Sequence, residues 1–416
     1  MNITRVIGRE IFDSRGFPTI ECEIALEENI SVKASVPSSI VNEPGAVNDL
    51  RDGGTHIFGR GVSKAVEKLE TVIAPHLVEK EPSLVEMDLL MIEIDGTPNK
   101  SNLGSNTMLA VSSALAKAQA IVEGLEPFEL IAHLCDQNNV SIPFPLFTLV
   151  DGGMHADTNL KLQELMIVPT GAQSFRESMN LAVTIYHTLR AMLYKKGLRV
   201  ATGDTGGFAP EISDVNEILD LVMEAIEMNG ARDDVSLALD IAASDLYDTK
   251  TLTYSWQNSE YSTEGMIAWY EKLVASYPIY SIEDGLAQSD SAGWQQLTKT
   301  LGESTYIVGD ALFSSNPYSI SEGIEQQLAT GSIIKPAQIG TLTEALQSIN
   351  LCREHGMIPI ISHCAGETNN SLIVDIAVGT SAGHFKAGAP CHGERVAKYN
   401  RLLRIEDSLM FSLLTA

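Results

Sequence analysis

Basic residues are scarce in this chain. Lysine and arginine number 28 against 54 aspartates and glutamates, a formal charge of −26 at pH 7. That balance excludes nucleic acid and an anionic membrane surface as partners, because both would be repelled. Cysteine is sparse as well. Cys22, Cys135, Cys352, Cys364 and Cys391 lie far apart and lack metal-ligand spacing. Such an odd, dispersed set fits reduced thiols in a cytoplasmic compartment rather than a disulfide framework. No apolar run reaches the roughly 20 residues of a membrane span. Residues 1–16 are charged and have no apolar core, so they do not read as a secretory signal. A nucleotide fingerprint is missing too: residues 203–207 have neither the Lys-Ser/Thr of a phosphate loop nor Rossmann spacing.

What is present is a repeated unit. Four apolar, strand-like runs end in Asp240, Glu283, Asp310 and Lys335, and two more end in His363 and Lys386. From Glu283 onward the steps are roughly 25 residues, the length of a strand, a helix and two loops. A chain that repeats this unit with a polar residue at each strand end predicts a (β/α)8 barrel with its site on that face. Three neighbouring carboxylates there suit a hard divalent cation such as Mg²⁺. The lysine beyond them is a candidate general base, its pKa lowered by cation and burial.

At 416 residues the chain is too long for one ordinary core. Ile20, Cys22, Ile24 and Leu26 alternate with polar neighbours, which predicts antiparallel strands with one wet face. Val62, Val66, Leu69 and Ile73 mark an amphipathic helix. Residues 106–123 are alanine-rich, with Gly124 as a stop signal. Residues 1–130 therefore read as an α+β capping domain and 131–416 as the barrel, with Pro143 and Pro145 at the junction. Within the barrel, Thr341 and Glu344 form a capping-box pattern before the apolar face Leu342, Ala345, Leu346, Ile349 and Cys352.

Ordered motifs then carry a resemblance. They include Asp13-Ser14-Arg15-Gly16, Leu50-Arg51-Asp52-Gly53, Asp95-Gly96-Thr97, Gly206-Gly207-Phe208-Ala209-Pro210, Ser281-Ile282-Glu283-Asp284, Gln338-Ile339-Gly340-Thr341 and Gly388-Ala389-Pro390-Cys391. On these the chain resembles the enolase family over essentially its whole length. The resemblance implies an enolase-like α/β architecture: an N-terminal α+β domain followed by a (β/α)8 (TIM-type) barrel that begins ββαα. It also implies Mg²⁺ dependence and a homodimer or larger homo-oligomer. By the same resemblance, Lys335 removes the proton α to a carboxylate, and Asp240, Glu283 and Asp310 hold the main metal. Lys386 holds the substrate carboxylate, Glu164 attends the leaving group, and His155 and His363 flank the site. Gln163, Asp204, Thr205 and Cys364 complete the implied substrate-facing set.

The departures form a pattern. Thr205 stands where the family places its general-acid glutamate, and Val41 where its mobile loop supplies a serine to a second Mg²⁺. Cys364-Ala365 replace the Arg-Ser that grips phosphate. The metal, base and carboxylate-holding positions are retained. Loss of the arginine grip forfeits bidentate, charge-assisted bonds, and loss of a general acid costs roughly 10²–10⁴-fold in rate. The expected activity is a Mg²⁺-dependent lyase on a small carboxylate that lacks the usual phosphate or places it elsewhere, phosphorylated or phosphonate acids being one candidate class, rather than efficient 2-phosphoglycerate dehydration. Two alternatives stand beside it: a conventional phosphopyruvate hydratase in which Asp204 or Glu43 substitutes for the lost groups, and a non-catalytic scaffold. Cys364 and His363 are neighbours on a strand, so they point to opposite sides and do not read as a nucleophilic dyad.

Overall fold

The computed structural model describes residues 1–38 and 47–415, with side chains to Phe411. Val41 and Glu43 lie outside the described residues. The chain opens with an antiparallel meander, β1 (Ile3–Phe12), β2 (Pro18–Leu26) and β3 (Ser31–Ser35). Ile20, Cys22, Ile24 and Leu26 are buried on one face of β2, as their alternation requires.

Helices follow: α1 (Ser63–Lys68), α2 (Ala74–Leu77), α3 (Leu84–Asp95), α4 (Ser105–Glu123) and α5 (Pro127–Leu134). The amphipathic helix expected over 62–73 is interrupted, with α1 passing through a π turn at Leu69–Ile73 into α2. Pro75 explains the break, because it has no N–H to continue the i→i−4 ladder. The alanine-rich α4 ends at Gly124, whose φ of 70° is the left-handed cap the sequence signals. Its buried Ala110, Ala114 and Ala118 permit close approach to the meander and to the barrel.

The second unit is a closed barrel. Its strands are β4 (Phe144–Asp151), β5 (Glu164–Val168) and β6 (Ser236–Asp240), with α6 (Phe175–Lys195) and α7 (Val215–Met228) between the last two. A small antiparallel sheet, β7 (Tyr247–Asp248), β8 (Thr253–Trp256) and β9 (Ser259–Tyr261), precedes α8 (Thr263–Ser276). Regular alternation takes over at β10 (Ile279–Glu283), α9 (Ser291–Leu301), β11 (Tyr306–Gly309), α10 (Pro317–Glu325) and β12 (Gly331–Ile334). It continues with α11 (Leu342–Glu354), β13 (Ile358–Ser362), α12 (Leu372–Gly379), β14 (His384–Lys386) and the terminal α13 (Gly393–Thr415). β14 pairs β4 and β6 pairs β10, both parallel, which closes the ring. β5 alone runs antiparallel to both neighbours, so the barrel begins ββαα. Among the described residues no single helix is long and apolar enough to cross a membrane.

The domains meet through α11. Thr341 caps its start by accepting from Glu344 N. The Glu344 carboxylate does not complete the expected capping box; it takes the Thr341 hydroxyl at 2.6 Å and the Lys100 ammonium at 2.8 Å. Acceptors for two further amides come from across the junction: Leu342 N donates to Ser112 Oγ of α4 at 3.0 Å, and Thr343 N to Asp88 of α3 at 3.0 Å. The N-terminal domain thus satisfies the first turn of the helix that follows Lys335.

Candidate active site

Every residue of the strand-end relay reaches the same mouth of the barrel. Asp240 and Glu283 end β6 and β10; Asp310, Lys335 and His363 immediately follow β11, β12 and β13; Lys386 ends β14. All but Lys335 are buried.

Lys386 is the hub. Its ammonium lies 2.9 Å from both oxygens of Glu283, 2.5 Å from Glu164 and 3.5 Å from Asp240. Gln163 donates to the same Asp240 oxygen at 3.3 Å. The resemblance implies that Lys386 holds a substrate carboxylate; in this structure its ammonium is engaged by three carboxylates of the protein. Lys335 forms an ion pair with Asp310, whose other oxygen accepts from Gln338 at 3.2 Å. Ser315 fixes this loop by accepting from Lys335 N at 2.8 Å and donating to Gln338 at 2.6 Å.

Electrostatics follow from burial and crowding. Burial, then Asp240, push the Glu283 carboxyl well above the ordinary range, and burial also raises Asp240. Burial opposes ionisation of Glu164 too, but Lys386 and His155 outweigh it and hold its carboxyl down at about 2. The half-buried His155 ring responds to Glu164, Asp240, Lys386 and Lys335, which places it facing the cluster. Burial lowers the pKa of His155 and holds that of His363 well below the ordinary value, so both rings are neutral at pH 7.

Four residues that sequence reasoning did not single out belong here. Asp284 is buried, and its carboxylate accepts from Asp310 N at 2.9 Å and Ala311 N at 2.8 Å, fixing the turn that carries Asp310. Asp151 ends β4 and binds Thr205. Arg395 of α13 is fully buried and donates to His363 Nδ1 and to the carbonyls of Cys364 (2.8 Å), Asp204 (2.9 Å) and Ala365 (2.6 Å). The bond to Nδ1 assigns the His363 proton to Nε2. Arg15 stands at the rim, 3.6 Å from the half-exposed Asp204. Asp284 and Asp151 carried a signal, a charge closing a strand; Arg395 carried none. Cys364 and His363 form no dyad: His363 is held by Arg395, and Cys364 N donates to Glu367 at 3.2 Å.

The fold family implies a metal at Asp240, Glu283 and Asp310. Their donors are all hard oxygens, and with Glu164 and Asp284 they make five carboxylates against two lysines. The donor chemistry and the charge excess fit a divalent cation. As the side chains stand, no three carboxylate, imidazole or thiol groups among the described residues are gathered to hold one, and Lys386 occupies the middle of the cluster.

A closed barrel that begins ββαα, capped by an α+β domain and carrying lysines among carboxylates at its C-terminal mouth, defines a two-domain barrel protein with its chemistry at the strand ends. Residues 3–131 match the family model for the enolase N-terminal domain, and residues 139–412 that for the enolase C-terminal TIM barrel domain. The chain belongs to the enolase family.

Proposed function

We propose that this chain is a divergent enolase-family lyase, Mg²⁺-dependent and cytoplasmic, that removes the α-proton of a small carboxylate substrate. The carrying observation is the buried cluster itself. Lys335 stands against Asp310, and the buried Lys386 against Glu164, Asp240 and Glu283, at the strand ends where a barrel carries its chemistry. Asp240, Glu283 and Asp310 would hold the Mg²⁺. When bound there, it would supply positive charge against the negative charge that builds on the substrate carboxylate as its α-proton leaves.

Lys335 is the base. Once Asp310 has a stronger partner than the ammonium, Lys335 gives up a proton to solvent, and its neutral Nζ then receives the α-proton. Lys386 turns its ammonium from protein carboxylates to that of the substrate. Gln163 and the neutral rings of His155 and His363 would donate hydrogen bonds to the substrate without adding charge. Gln338 and Ser315 orient the Lys335 loop. The weak side is phosphate: the carbonyls of Cys364 and Ala365 are occupied by Arg395, and neither side chain offers a cation. A substrate phosphate or phosphonate is therefore held elsewhere or is missing. The protein is expected to act as a homodimer or larger homo-oligomer.

Steady-state turnover of 2-phosphoglycerate tests this reading. We expect a rate below the usual enzyme range of about 1–10³ per second. Turnover within that range would return the chain to a conventional hydratase.

A further inference from the structure

Thr205 stands where the enolase resemblance calls for an acid, and its hydroxyl cannot protonate a leaving group unaided. The structure places a carboxyl directly behind it. Thr205 Oγ1 lies 2.5 Å from Asp151 Oδ1. The other oxygen, Oδ2, accepts from Thr205 N at 3.0 Å and from Gly207 N at 3.1 Å. Two amides on one oxygen mark it as the carbonyl end, which leaves Oδ1 to carry a proton toward the Thr205 hydroxyl. Thr205 also helps hold the Glu164 carboxyl down, and the Lys386 ammonium lies 2.5 Å from Glu164. Asp151, Thr205 and Glu164 are all buried. Asp151 thus binds Thr205, Glu164 binds Lys386, and Asp151 and Glu164 are register partners on β4 and β5.

We propose that Asp151 stores the proton that Thr205 hands to the departing oxygen of the substrate, replacing the missing glutamate acid. The inference rests on the lyase reading above. In the step, Lys335 has already taken the α-proton. The pair left on Cα forms the C=C bond as the Cβ–O bond breaks, and that bond's electrons go to oxygen. The Thr205 O–H proton moves to that oxygen, and the Asp151 proton replaces it on Thr205. Asp151 ends as a carboxylate held by two amides and one hydroxyl, and regains a proton from solvent between turnovers.

The surroundings support storage. Burial, then the Glu164 charge, push the Asp151 carboxyl up to about 8, against the opposing pull of the Thr205 and Gly207 bonds. The other titratable groups that sense it are Tyr186 of α6 and Cys391 of the segment before α13, and burial raises both, so both are neutral at pH 7. Of this neighbouring pair, Asp151 therefore keeps a proton and Glu164 does not. Asp151 acts through Thr205, so it is a positioning and proton-storing residue rather than one that touches substrate. Glycine enforces the close approach: a Cβ on Gly203 or Gly207 would lie under 3.0 Å from Asp151 atoms.

Two measurements test this on the full-length protein. The first is infrared difference spectroscopy between pH 6 and pH 9 with Mg²⁺ present. We expect a protonated-carboxyl band at the lower pH that fades toward the higher one and is absent in Asp151→Asn. A band from which Asp151→Asn removes nothing overturns the proposal. The second compares α-proton exchange with elimination, using 2-phosphoglycerate in deuterated water. Asp151→Asn and Thr205→Val should slow elimination by roughly 10²-fold or more while exchange is little changed. Thr205→Glu should restore elimination in the Asp151→Asn background. An equal fall in exchange and elimination would show a merely structural role. Failure of exchange in the unaltered protein, with 2-phosphoglycerate and with every acid of a panel of small carboxylates, would sink the lyase reading instead, and the infrared band would still decide where the proton resides.

Discussion

The ammonium of Lys386 lies 2.9 Å from each carboxylate oxygen of Glu283, in a barrel that buries both side chains. Removing one partner of such a pair strands the other in a poorly solvated site. Lys386→Met should therefore destabilise the metal-free protein by about 3–5 kcal/mol. Mg²⁺ should recover more stability in the variant than in the parent, because the ion then has more uncompensated charge to neutralise. Thermal unfolding in chelator and in millimolar Mg²⁺ measures both. An unchanged melting temperature in chelator would mean that Lys386 does not balance the cluster.

Calorimetry should find one tightly held Mg²⁺ per chain, abolished by Asp310→Asn. Mg²⁺ prefers near-octahedral oxygen ligation and keeps its waters otherwise. Val41 supplies no side-chain oxygen where the family uses a serine for a second ion. Two stoichiometric sites, or binding indifferent to Asp310→Asn, would contradict this.

Asp284 should govern metal affinity without ligating. It holds Asp310 N and Ala311 N at 2.9 and 2.8 Å, at a backbone φ of 44° that asparagine tolerates. Asp284→Asn leaves one amide facing an NH₂ donor, a cost of about 1–3 kcal/mol. We expect a clear loss of Mg²⁺ affinity together with lower thermal stability. Unaltered affinity would mean that the turn holds Asp310 without this carboxylate.

Asp88 should make stability fall as pH rises. Burial pushes its carboxyl from the ordinary 3.8 up to about 6, despite bonds from Thr343 and Ser112. A carboxyl raised in the folded state stabilises below its unfolded pKa, and that contribution is lost as pH climbs through the folded one. The loss spans about pH 4 to 6 and is on the order of 3 kcal/mol. Asp88→Asn, which keeps an acceptor for Thr343, should flatten the denaturation-versus-pH curve in that window. An unchanged slope would place the titration elsewhere.

The relay at the strand ends was legible because a barrel interior leaves few reasons for a charge to close an apolar run. Asp240, Glu283, Asp310, Lys335, His363 and Lys386 all reach the mouth for that reason. Asp151 has the same signal, but Pro145 falls inside its strand, and proline ordinarily argues against one. Arg395 was invisible because its contacts with His363 and Cys364 exist only after α13 folds back on the barrel. Glu344 shows tertiary override: a local capping pattern yields to Lys100 from the other domain. The interruption at Leu69–Ile73 needed attention to Pro75 rather than to apolar periodicity.

The account turns on whether Lys335 removes an α-proton over this carboxylate cluster. Solvent-deuterium incorporation at the α-carbon of a panel of small carboxylates, followed by NMR with Mg²⁺ present, reads that step without requiring elimination. We predict exchange into at least one acid, lost on chelation and lost in Lys335→Ala. No exchange with any acid, or exchange that persists in Lys335→Ala, would contradict the account.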